Sequence, residues 1–94
     1  MLFHPDTEKD IKKSYLWYKK QSSHLGDDFL NELEQSYKLI KEQPNMWLNI
    51  RDGYKKFNLN KFPFSIIYKI DNSIIYVVAI MHQKRQPDYW INRH

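Results

Sequence analysis

Residues 64–80 read FSIIYKIDNSIIYVVAI. Phe64, Ile66, Tyr68 and Ile70 alternate on one side of an expected strand, Phe64–Ile70. Asp71-Asn72-Ser73 is a turn signal of about three residues. Ile74–Ile80 is apolar on both sides, the pattern of a strand with neighbours on either flank. The stretch therefore predicts a β-hairpin at the heart of a sheet. Upstream, Tyr54–Lys61 also alternates, with Phe57 and Leu59 on one side and Lys56, Asn58 and Asn60 on the other. Pro63 marks a break or edge between the two segments. Asp52-Gly53 signals a second tight turn, and Leu48–Arg51 reads as a further short strand.

The first half changes period. Pro5-Asp6-Thr7 is a helix start, with Thr7 and Asp10 spaced like a capping box. Ile11, Tyr15 and Tyr18 then recur at i, i+4, i+7, and Leu16 and Trp17 widen that face. Ser22 to Gly26 breaks the pattern, Gly26 reading as a C-cap or turn residue and Asp27 or Asp28 as the next cap. Phe29, Leu33, Tyr37 and Ile40 form a second apolar stripe, and Pro44 stops it by pushing Gln43 out of the α region. The expectation is an α+β fold. A helical hairpin, about residues 7–43, packs on one face of a three- to four-stranded, mainly antiparallel sheet, about 47–81. A basic tail, 82–94, completes a single domain, and the second sheet face, with Lys56, Asn58 and Asn60, is expected to face solvent.

Composition narrows the chemistry. Ninety-four residues allow one domain. The absence of cysteine excludes a disulfide scaffold, a thiol nucleophile and Cys-based metal sites. No apolar run approaches the ~20 residues that span a bilayer. No charged-then-apolar leader opens the chain, so a cytoplasmic setting is expected. His4, His24, His82 and His94 match no ligand spacing, and no metal site is expected. Phosphate-binding glycine loops and serine-hydrolase elbows are absent, so no cofactor is expected.

Charge is uneven. Residues 1–43 carry seven Lys against eight Asp and Glu, a net of −1, whereas residues 44–94 carry five Lys and three Arg against three Asp, a net of +5. The second half holds a basic and aromatic series: Arg51, Lys55, Lys56, Lys61, Lys69, His82, Lys84, Arg85, Tyr89, Trp90 and Arg93. One reading is a solvated strand face with a basic tail. The other is an anion-binding surface, where cations neutralise phosphates and rings stack on unpaired bases. Trp90 also reads as a core plug that pins the tail to the sheet.

The ordered set resembles the RelE/ParE toxin superfamily, the plasmid-stabilisation toxins of type II toxin–antitoxin modules. It comprises two helices carrying Leu25-Gly26-Asp27-x-Phe29 and the Gln43-Pro44 stop. Ile50-Arg51-Asp52-Gly53-Tyr54-Lys55-Lys56-Phe57, Lys61 to Tyr68, and Ala79 to Trp90 follow in that order. The resemblance implies a helical hairpin on a small sheet and a cognate antitoxin that blocks the toxin. It also implies one of two activities, with mRNA cleavage on the ribosome the expected one and trapping of DNA gyrase without catalysis the alternative. An inactive remnant kept as a binding protein is a third alternative.

For the first activity, Lys56 (or Lys55), Arg85 and Tyr89 match the RelE-like lysine, arginine and C-terminal tyrosine, and His82 offers an acid–base group. Arg51, Lys55, Lys61, Lys84 and Arg93 are the expected nucleic-acid or target contacts. Phe64 and Ser65 stand where a RelE-like arginine is expected, and His82 with the following basic residue resembles the ParE side. Family members open with a strand, and only Met1-Leu2-Phe3-His4 precedes Pro5, so that strand is expected to be very short or missing. An exposed sheet edge would then favour an antitoxin or a second copy of the chain.

Overall fold

The hairpin of residues 64–80 forms the centre of the sheet. The computed structural model describes residues 1–93, so His94 of the expected tail lies outside the described residues. In chain order the elements are β1 (Leu2–Phe3), α1 (Pro5–Gln21), α2 (Ser23–Glu42), β2 (Leu48–Arg51), β3 (Tyr54–Asn58), β4 (Phe64–Asp71) and β5 (Ile74–His82). The sheet order is β1-β5-β4-β3-β2. Among the described residues only the β1–β5 pair is parallel, with Leu2 opposite Tyr76 and Phe3 opposite Val77. The first strand is thus present but two residues long, and it brings the sheet to five strands rather than three or four.

Both tight turns are two-residue connections with left-handed backbone, which matches the twist of the flanking strands. Asp52 and Gly53 have φ of 49° and 81°, and Asn72 and Ser73 have φ of 50° and 65°. The β4–β5 loop is therefore Asn72-Ser73 alone, one residue shorter than expected. β3 ends at Asn58, three residues before Lys61.

The helix boundaries also differ from expectation. His4, not Thr7, caps α1: its Nδ1 accepts from the Asp6 backbone N–H at 3.0 Å, and Pro5 occupies the first turn, where its missing N–H costs nothing. The Thr7 hydroxyl donates to the His4 carbonyl. Ser22 alone separates the helices, ending α1 and capping α2. Gly26 lies inside α2, where a Cβ would sit 3.0 Å from the Tyr15 ring, so its role is close helix approach rather than a turn.

Two cores result. Between helices and sheet lie Phe29, Leu33, Tyr37 and Ile40 of α2 against Phe57, Phe64, Ile66, Tyr68, Val77 and Ile80 of the strands. On the other face Tyr54, Ile67, Val78, Ala79 and Met81 are covered by Trp90, which is 1% exposed. The face expected to be open is thus capped by the tail in the region of Trp90, while Asn58 and Asn60 at its margin remain exposed. The tail is fixed at both ends. Arg51 Nη1 donates to Asp88 at 2.7 Å, and Arg93 Nη1 donates to Asp10 at 2.7 Å.

Candidate functional site

A β-bulge decides where the chemistry of β5 is presented. Ile67 pairs with Ala79 and Tyr68 with Val77, so Val78 is an extra residue. Strict alternation from Tyr76 would put Ile80 and His82 on the Trp90 side of the sheet. The extra residue turns both toward the helices. Ile80 joins the helix-side core, and the His82 ring meets Phe64 edge-on at 5.0 Å.

His82 then lines a cleft of about 540 Å³ between α1 and the turn after β5. Helix α1 contributes Asp10, Lys13, Ser14, Trp17 and Tyr18. Pro63, Phe64 and Ile80 supply further walls, and Arg85 and Tyr89 close it from the C-terminal side. The Lys84 N–H donates to His82 Nδ1 at 3.0 Å, which fixes the ring orientation. The Arg85 guanidinium lies 3.9 Å above the centre of the Tyr89 ring, and Arg93 approaches the same ring at 5.1 Å. Burial, reinforced by Asp10, raises the Tyr89 pKa above that of a free phenol, while Arg93 and Arg85 oppose the shift.

Asp10 organises this end of the sheet. Strand β1 pairs with β5 only at Tyr76 and Val77, so among the described residues the outer edge of β5 beyond that point lacks a neighbouring strand. The His4 N–H donates to the Val77 carbonyl, Arg93 Nη1 donates to the Val78 carbonyl, and the Ile80 N–H donates to Asp10 Oδ2. The Asp10 carboxylate also receives both terminal nitrogens of Arg93, at 2.7 and 3.2 Å, and this hydrogen bonding raises the Arg93 pKa.

The expected site residues are divided. His82, Arg85 and Tyr89 share the cleft. Lys56 does not: it lies half-buried on β3, opposite Ile67, on the Trp90 side of the sheet. Lys55 is not a surface cation either. At 9% exposure its ammonium donates to Asn49 Oδ1 at 2.7 Å and to the Asn45 and Trp47 carbonyls at 3.3 Å, so it ties the loop after α2 to β3. Arg93 is engaged by Asp10, and Arg51 by Asp88 and Asp52, so both act as tail fasteners. Lys61 is exposed and stands 3.8 Å from Asp28, while Lys84 is exposed. Sequence reading missed the α1 wall. Its signal is the recurrence of Asp10, Lys13, Ser14 and Trp17 at helical spacing, and Trp17, expected on the buried face, is exposed.

Residues 1–87 match the family model described as the ParE toxin of a type II toxin-antitoxin system, parDE. The chain belongs to the ParE toxin family. No individual curated protein matches it closely enough to add to this. A ParE-family toxin is the toxin half of a two-protein module, and a cognate antitoxin is its implied partner. No helix of this ParE-family chain, among the described residues, is long and apolar enough to cross a membrane.

Proposed function

We propose that this toxin arrests growth by gripping its target rather than by cleaving RNA, with DNA gyrase as the target that the ParE resemblance implies. The observation that carries the reading is that Lys56 lies outside the cleft shared by His82, Arg85 and Tyr89: it sits on the Trp90 side of β3, whereas the bulge turns His82 to the helix side. Cleavage through 2′-hydroxyl attack needs a base, an acid and a cation around one phosphate. Here the lysine assigned to that set faces the Trp90 core, and Lys55 beside it is saturated by three oxygens. The family match over residues 1–87 supports the same side. On this reading the protein works in the cytoplasm, where gyrase and the antitoxin are found.

One observation favours the second reading, ribosome-dependent mRNA cleavage. An imidazole, a guanidinium and a phenol do share one cleft, and these groups could serve as acid, base and charge stabiliser. Induced expression without antitoxin separates the two. The gyrase reading expects growth arrest with broken chromosomes and altered plasmid supercoiling, and full-length messages. Tyr89→Phe keeps the ring under Arg85 and removes only the hydroxyl, so it should still arrest growth. Truncated messages, with Tyr89→Phe inactive, would establish cleavage instead.

A further inference from the structure

We propose that the cleft between α1 and the C-terminal turn binds one unpaired nucleotide of a single-stranded nucleic acid. The base would stack on the Trp17 indole, and Lys13 and Arg85 would hold its phosphate. A nucleotide site goes beyond the gyrase reading above, which assigns no ligand to this cleft.

Three observations carry it. Of the three tryptophans, Trp90 is buried and Trp47 half-buried, whereas Trp17 is 58% exposed at the cleft. The Tyr18 ring meets it edge-on at 5.1 Å, which steadies the indole plane. An exposed, oriented indole is a stacking platform, and stacking accepts any base because every base has a π-face.

Charge is the second observation. Lys13 and Arg85 pair with no carboxylate among the described residues. The cleft's carboxylate, Asp10, is already neutralised by Arg93 and accepts from the Ile80 N–H. Among the described residues the cleft therefore presents free cations and no free anion, as a phosphate requires.

The third observation selects a nucleotide over an acidic peptide. A peptide strand would bind here by adding to the outer edge of β5. That edge is closed along the cleft, because Arg93 holds the Val78 carbonyl and Asp10 holds the Ile80 N–H. What stays available is ring surface and charge. The volume, about 540 Å³, lies in the range of small-ligand pockets.

The test titrates purified full chain into fluorescein-labelled ten-nucleotide oligothymidylate and, in a second arm, oligouridylate, read by anisotropy. The two arms distinguish DNA from RNA as the source of the nucleotide. Saturable, salt-dependent binding of either strand is expected, at least tenfold tighter than a duplex of equal length. Trp17→Ala should weaken it about tenfold or more, the effect of losing one stacked base, and Trp17→Phe should restore most of it. Lys13→Gln with Arg85→Gln should flatten the salt slope by about one phosphate contact or more. Trp17 and both cations are surface residues, so unchanged circular dichroism is expected for each variant.

The proposal is overturned if neither strand binds or if duplex binds equally. It is also overturned if Trp17→Ala has no effect, or if oligoglutamate competes as well as unlabelled oligothymidylate. Any of these with gyrase inhibition intact defeats the nucleotide site alone. Oligonucleotide binding without gyrase inhibition defeats the functional reading and keeps the site.

Discussion

Asp10 shows what a single side chain can settle. It is 10% exposed, and its oxygens hold a backbone N–H of an open strand edge and both arms of an arginine that is itself 15% exposed. Removing Asp10 leaves the shielded Arg93 with only the half-exposed Asp6 at 3.8 Å and takes the acceptor from the Ile80 N–H, and breaking a buried pair in this way costs about 3–5 kcal/mol. Asp10→Ala should lose at least about 3 kcal/mol in urea unfolding and release the tail that Arg93 anchors. A loss under about 1 kcal/mol would mean that the pair behaves as a surface contact.

Tyr68 supplies a pH signature. Its hydroxyl donates to the Pro44 carbonyl at 2.7 Å, and burial pushes its pKa up to about 12. The folded state then keeps this proton where the unfolded chain has given it up, above about pH 10. The stabilising contribution is complete below pH 10 and disappears as pH rises toward 12. Tyr68→Phe should cost about 1 kcal/mol at neutral pH and make alkaline unfolding shallower over that window. An unchanged slope would remove Tyr68 from the account. None of this was readable from the sequence, because Asp10, Lys55 and Tyr68 acquire their partners from segments 70, 10 and 24 residues distant.

At the scale of elements, periodicity carried most of the fold. The stripe Phe29, Leu33, Tyr37, Ile40 is buried as its spacing demands, and β4 puts Phe64, Ile66 and Tyr68 on the helix side. Local punctuation misled at Gly26. A glycine after two serines resembles a turn, yet Ser22 alone suffices as both caps, and Gly26 lets α1 and α2 approach. Gly26→Val should therefore destabilise by about 2 kcal/mol through overpacking against Tyr15 and Lys19. A thermal midpoint at or above that of the parent would show that the hairpin yields there. The bulge at Val78 escaped notice for a plain reason. Ile74–Ile80 is apolar on both faces, so no hydrophobic-to-polar contrast marks the shift of register. That unseen residue is what puts His82 in the cleft instead of under Trp90.

For the whole molecule, the basic excess of residues 44–94 proves to be of two kinds. Lys55, Arg51 and Arg93 hold the protein together, whereas Lys84 and Arg85 face outward and have no carboxylate partner among the described residues. Residue type and spacing cannot separate the two kinds. The separation needs the loop after α2, the tail and α1 in place. The same assembly leaves Lys56 outside the cleft, on the Trp90 side of β3, which is why a toxin acting by grip is preferred to one acting by cleavage.

The most direct measurement is a supercoiling assay with purified DNA gyrase, relaxed plasmid and the purified chain, run beside a ribosome–message cleavage assay. The account predicts gyrase inhibition with protein-linked DNA breaks, full effect from Tyr89→Phe, and intact message. Uninhibited gyrase together with message cut on the ribosome, lost in Tyr89→Phe, would contradict it.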